Sequence, residues 1–240
     1  NDPWASFGDL ARICGTDPTL AQGLLRYANS AYYARAGQEA AVAIRDAIDR
    51  VGVAGVRNVV LDVAVHGLLC QPGAPLAGIA DQVWTHMVRT APVARALAPA
   101  FGAPPERAYA LGLLHDVGKL VVIDQAASLR ATLRRTPDLP LPFVLDALRA
   151  LHEPLGALAA MRWGLGVEAA RAIGAHHRAP PPPVADPLGE TLFLAERAEL
   201  AATRGLALDL GAAWQEGALT GLPERAERAL LAHYAPAEAA

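Results

Sequence analysis

Lysine is nearly missing from this 240-residue chain: of its 21 cationic side chains, all but Lys119 are arginine. Cysteine is scarce too. Its two residues, Cys14 and Cys70, lie far apart and match no paired metal or redox spacing, so a disulfide scaffold or thiolate metal site is excluded and burial in a reducing compartment, the cytoplasm, is expected. No block of like charge occurs and the net charge is -3, which removes the electrostatic footprint of a nucleic-acid-tracking surface. Long apolar runs are absent as well. Val59 to Cys70 is interrupted by Asp62 and His66 and is too short to span a bilayer, and no signal peptide opens the sequence, so neither nucleic acid nor membrane is an expected partner. An initiator methionine is also lacking, from which a fragment of a longer protein is expected.

What remains is helical and apolar. Hydrophobic residues make up 53% of the chain, ample for a large core. Asp17-Pro18 sets an N-cap before a proline at the first helical position, and Leu20, Leu24, Leu25 and Ala28 follow at helical spacing. Segments Val42 to Val51, Val53 to Leu69, Leu76 to Phe101, Pro105 to His115, Pro142 to His152, Pro154 to Trp163 and Val167 to His176 read the same way, separated by glycine or proline. The run Leu120-Val121-Val122-Ile123 is short for a strand and is read as helix or connector. Five prolines between His177 and Pro187 predict an extended loop before a last pair of helices. There is no internal repeat.

Five of the seven histidines fall in local patterns: His86, His115, His152, His176 and His177. His115 shares a face with Ala108 and Leu111, His152 continues Leu141, Leu145 and Leu148, and His86 lies with Val83, Thr90, Val93 and Leu97, so these rings should point inward. Glu196 sits on the apolar face of Leu188, Leu192 and Leu200, a costly place for a carboxylate without a cation or donor. Taken singly, each histidine is most simply a half-buried ring bonded to a carbonyl. Several inward imidazoles with Asp116 and Glu196 together suit a divalent cation such as iron, manganese, zinc or magnesium, delivered by successive helices of a bundle. Lys119, the one compact ammonium, reads either as a retained choice beside the His115-Asp116 pair or as a surviving surface lysine. Asn29-Ser30-Ala31 is either the corner of a binding groove or a helix C-cap.

Leu113 to Leu120, LLHDVGKL, resembles the signature of the HD superfamily of metal-dependent phosphohydrolases. The stretches Asp17 to Tyr33 and Ala47 to Leu61, then Trp84-Thr85-His86, Glu106 to Leu120, His152-Glu153 with Leu155-Gly156, Trp163, Ala172-Ile173 and His176-His177 are similar to one branch of it, the HDOD domain (HD-related output domain). The resemblance implies an all-α fold of two lobes, with an N-terminal helical lobe at 1–75, an HD-like lobe at 76–200 and C-terminal helices at 201–240 packed on it. It also implies a signal-transduction output domain, regulatory by binding a protein partner, a fused signalling domain or a phosphate-bearing ligand such as a nucleotide, and without catalysis. The alternative is a metal-dependent phosphohydrolase of nucleotides or phosphoesters. By motif, His86, His115, Asp116, His152, His176 and His177 fall where metal-binding members place ligands, and Lys119 where those enzymes hold a phosphate. Glu196 stands where the hydrolases usually have aspartate, which puts a catalytic geometry in doubt. Arg178-Ala179-Pro180 lacks the Gly-Tyr-Pro element of the cyclic di-GMP phosphodiesterase branch, so that activity is not expected.

Overall fold

Every regular element among the described residues is an α-helix, as the 3.6-residue spacing of apolar positions requires. The computed structural model describes residues 7–30, 32–33, 40–69, 76–132, 140–178, 186–206 and 223–234. Cys70 and most of the proline-rich run after Arg178 lie outside them. No helix among the described residues is long and apolar enough to cross a membrane. The chain divides into two compact units, residues 1–68 and 69–240.

The first unit contains α1 (Phe7–Thr16), α2 (Pro18–Ala28) and all but the last residue of α3 (Ile44–Leu69). Asp17 caps α2 as the sequence suggests: its Oδ1 accepts from Leu20 N at 3.3 Å, satisfying one of the amides that a helix start leaves orphaned. Cys14, Leu24, Ala28, Ala47, Ile48, Val51, Val56 and Val59 form the core. Asn29 is not a left-handed cap, since the only non-glycine residue with positive φ among those described is Leu76. Its amide instead copies a backbone pairing, donating to Ala41 O (2.9 Å) and accepting from Ala41 N (2.7 Å), and so ties the end of α2 to the approach of α3. Arg50 Nη1 donates to the same Asn29 Oδ1 at 3.1 Å.

The expected break between Val51 and Val53 is present inside α3. Gly52 has φ 68° and ψ 178°, a conformation open essentially to glycine alone. Nothing lies within 4 Å of where its Cβ would stand, so a substitution there meets a conformational cost and no clash. Gly52→Ala is therefore expected to lower stability by about 1–3 kcal/mol, read as an earlier unfolding midpoint in a denaturant titration followed by helical circular dichroism.

The second unit contains α4 (Ala77–Phe101), α5 (Pro105–Leu114), α6 (Val117–Thr132), α7 (Leu141–Arg162), α8 (Val167–Ile173), α9 (Pro187–Thr203) and α10 (Pro223–Tyr234). Leu120 to Ile123 lie within α6, so the helical reading of that run holds. Helix α4 is the spine, packing against α5, α9 and α10, while α6 packs on α7 and α7 on α8. Its buried alanines, Ala80, Ala91, Ala94 and Ala98, let neighbouring backbones come close. One sequence expectation fails: α7 runs unbroken through Pro154, where two helices were expected. Pro154 and Ala150, the residue whose carbonyl loses its bond, are both exposed, so water replaces the missing donor and the helix continues.

Glycine fixes how near the helices come where the motif lies. A Cβ on Gly112 would stand 2.7 Å from Ala91 Cα, and one on Gly118 would collide with the carbonyl of His152. A Cβ on Gly156 would stand 2.8 Å from Ile173 Cγ2. Bare backbone at these crossings brings the α5–α6 turn, which carries His115 and Asp116, against α4 and α7, and brings α7 against α8. At α9 the start is set by Asp186, whose Oδ1 accepts from Gly189 N at 3.1 Å while Arg171 Nε donates to its Oδ2 at 3.1 Å.

Candidate metal centre

Helices α4 to α9 of the second unit, or the turns at their ends, deliver side chains to one largely buried place. His86 comes from α4, His115 from the end of α5, Asp116 from the turn into α6, and His152 from the middle of α7. His176 and His177 follow α8, and Glu196 comes from α9. His115, Asp116, His152, His176 and Glu196 are all buried, Asp116 to 1% exposure, whereas the His177 side chain remains 41% exposed. The seven residues singled out as metal ligands thus converge, in three overlapping groups: Asp116 with His152, His176 and His177; His86 with His115 and Asp116; and His115 with His176 and Glu196. Within each group one ligand atom per residue lies within 4.8 Å of the others.

The hydrogen bonds fix which nitrogen of each ring carries its proton. His115 donates Nδ1–H to Gly112 O (2.9 Å), His152 to Leu148 O (2.7 Å) and His176 to Ile173 O (2.7 Å), because a carbonyl can only accept. His177 donates Nδ1–H to Glu196 Oε1 (3.0 Å), and His86 donates to Glu199 Oε2 (2.6 Å). In its neutral form each of these rings turns an Nε2 lone pair inward. His115 Nε2 lies 3.2 Å from His86 Nε2, and His152 Nε2 lies 2.8 Å from His177 Nε2, so acceptors face acceptors. His176 Nε2 and Asp116 Oδ1, 3.5 Å apart, are buried without a hydrogen-bond partner. Such an interior is satisfied by a cation, and imidazole with carboxylate suits a borderline or hard divalent ion. The Nδ1 partners orient the rings as outer partners of ligating histidines do.

Charge in the centre follows from burial and proximity. Burial pushes His115 down to about 3 against the partial opposition of Asp116, so its ring stays neutral and able to ligate. Burial also lowers His152, aided by Lys119. Burial would raise Asp116, but His115, His176 and Lys119 outweigh it and hold the carboxyl well below its usual range. Glu196 is likewise depressed despite burial, by its bond to His177 and by His115. His176 moves the other way: burial lowers it, and Asp116 and Glu196 more than reverse that. Lys119 Nζ bonds Asp116 Oδ2 at 2.5 Å, so the lone ammonium sits on the central carboxylate.

Glu199 is the residue that sequence reasoning missed. It is buried, accepts from His86 through Oε2 and, through Oε1, from Thr203 Oγ1 at 2.6 Å. The signal was available: Glu199 follows Glu196 by three residues, one turn along the same helix. Replacing it by glutamine removes the charge that strengthens His86 as a donor of electron pairs, so Glu199→Gln is expected to weaken zinc or manganese binding by roughly 10–100-fold in a competition titration. A second expectation concerns pH. In metal-free protein the folded pKa values of His115 and His152 lie below the ordinary 6.5, so the unfolded chain binds their protons first as the solution is acidified. Their contribution is complete above pH 6.5 and is lost below it, while that of His176, whose pKa is raised, is complete and constant there. The thermal midpoint of metal-free protein should therefore fall between pH 6.5 and 5, and a flat profile would contradict the assignment.

The HDOD domain family matches residues 1–179 of the chain. No curated protein matches it. Among solved structures, the fold is similar to that of a protein from Shewanella amazonensis SB2B named provisionally as a metal-dependent phosphohydrolase, at 18% identity over 96% of this chain and 87% of that one, with a TM-score of 0.66. It is similar also to an HDOD domain protein of unknown function from Geobacter sulfurreducens, at 23% identity over 97% of this chain and 79% of that one, TM-score 0.63. A protein from Marinobacter aquaeolei VT8, named provisionally as a signal transduction protein, shares 25% identity over 95% of this chain, which spans 52% of its length, TM-score 0.62. Helical architecture, the His-Asp turn at the heart of the second unit and the match over residues 1–179 agree, and this chain belongs to the HDOD domain family.

Proposed function

We propose that this chain is a regulatory output domain of a signalling protein, built around a metal centre and acting by binding a phosphate-bearing ligand or a protein partner, without turning over a substrate. The observation that carries the metal centre is the set of Nε2 atoms turned inward around Asp116, with His176 Nε2 and Asp116 Oδ1 buried 3.5 Å apart and without a hydrogen-bond partner. His86, His115, Asp116, His152, His176, His177 and Glu196 would hold the ion. When bound, a divalent cation there supplies Lewis-acid attraction for a phosphate oxygen and acidifies water. The signalling role is supported by family membership and by the provisional name of the Marinobacter protein.

Two features favour binding over hydrolysis. Lys119, where the related hydrolases hold a phosphate, is spent on Asp116 Oδ2. Glu196 and His177, at the solvent side of the centre, are bonded to each other at 3.0 Å. The second reading, hydrolysis of a phosphoester, is favoured by a cavity of about 350 Å³ that reaches His177 and Glu196. In that reading Lys119 and the cation would neutralise the phosphate while the surrounding imidazoles positioned water.

Purification without chelator, metal counting by mass spectrometry and a phosphate-release assay on nucleotides decide between them. The wild-type chain is expected to carry divalent metal, to gain thermal stability as free metal is added, and to release no phosphate above background. His115→Ala and Asp116→Ala are expected to lose the metal. Metal-dependent turnover abolished by either substitution would replace the binding reading by the hydrolytic one, and a metal-free wild-type chain would remove both.

A further inference from the structure

We propose that Glu153 of α7 and Arg178 form a clasp that positions His177 as the solvent-side ligand of the metal centre. This role rests on the metal-centre reading and deepens it. The buried rings need no such help. His115, His152 and His176 each donate to a carbonyl three or four residues earlier in the chain, so local backbone orients them and the core around them holds them. His177 differs. Its side chain is 41% exposed, it stands four residues beyond the end of α8, and its ring partners, Glu196 and His152, belong to other helices. A ring held in that way is placed no better than the backbone beneath it.

Glu153 adjoins His152 on α7 and reaches across to that backbone. Its Oε1 accepts from His177 N at 3.5 Å and its Oε2 from Arg178 Nη2 at 3.4 Å. The same Arg178 nitrogen donates to Gly174 O at 3.1 Å, the carbonyl of the α8 C-cap. One carboxylate and one guanidinium thus tie the turn from Gly174 to Arg178, which carries His176 and His177, to α7. Close packing brings the turn within reach: a Cβ on Gly174 would stand 3.1 Å from Ala157 Cβ, one helical turn beyond Glu153. Both bonds of Glu153 are long and the Arg178 side chain is 69% exposed, so the clasp acts by aiming His177 rather than by adding stability. Its consequence falls on the ion. Asp116, His152, His176 and His177 form one group whose ligand atoms lie within 4.8 Å of one another. Four protein donors close a tetrahedral ion such as zinc, whereas three leave a position for water or for an oxygen of a ligand. The clasp therefore sets whether the solvent side of the centre is closed or open.

Competition titration of zinc against a chromogenic chelator tests the clasp. Glu153→Ala should weaken zinc binding by about three- to tenfold and Arg178→Ala by a similar or smaller factor, with the thermal midpoint of metal-free protein unchanged in each. Glu153→Gln keeps an acceptor and should weaken binding less than Glu153→Ala. In a His177→Ala background Glu153→Ala should have no further effect, because a residue that acts through His177 then has nothing left to position. The visible spectrum of cobalt-loaded Glu153→Ala should shift from that of wild type toward that of cobalt-loaded His177→Ala. Wild-type zinc affinity in Glu153→Ala, or an effect of Glu153→Ala that persists undiminished without His177, would overturn the proposal. A wild-type chain that binds no zinc sinks the metal-centre reading instead. The clasp is then decided on metal-free protein, where Glu153→Ala should speed solvent exchange of the His177 amide and an unchanged rate overturns it.

Discussion

The second unit is organised around a buried gathering of imidazoles about Asp116, an arrangement that a cation would satisfy. Once five imidazoles have given their Nδ1 protons to carbonyls and carboxylates, five Nε2 lone pairs and the oxygens of Asp116 face one another. In an apolar interior that arrangement is unfavourable unless something positive occupies it. Lys119 supplies part of the charge by sitting on Asp116, and only from one side. The arrangement that a cation would satisfy thus follows from the helix packing and from the carbonyls and carboxylates that orient each ring.

Packing and chemistry are joined at glycine. The motif from His115 to Lys119 works because Gly118 has no side chain to collide with the backbone of α7, and because Gly112 lies flat against Ala91 on α4. These contacts place the α5–α6 turn within reach of His86, His152 and His176 together. Glu199 shows the same principle one shell out, where a buried carboxylate held by Thr203 aims a ring on another helix.

Much of this was legible in the sequence. Helical periodicity gave the all-α architecture, the glycine at position 52 marked a real break, and inward placement of His86, His115, His152 and Glu196 followed from the faces they share with apolar neighbours, while Asp116, His176 and His177 were legible through the resemblance alone. Pro154 misled, since a proline's cost depends on whether the carbonyl it frees can reach water, which a sequence does not state. The partnership of Glu199 with His86 spans 113 positions, and the amide clasp of Asn29 on Ala41 bridges two helices, so neither follows from local pattern. Lys119 was read through its similarity to phosphate-holding lysines, and the structure adds the ion pair with Asp116 that occupies it.

The most direct test of a cation-requiring acceptor cage is X-ray absorption at the metal edge of the protein purified without chelator. The account predicts a first shell rich in imidazole nitrogen at about 2.0–2.1 Å if the ion is zinc, with the outer-ring scattering that marks histidine. An ion surrounded by oxygen alone, or one whose shell is unchanged when His115 and His176 are replaced, would contradict it.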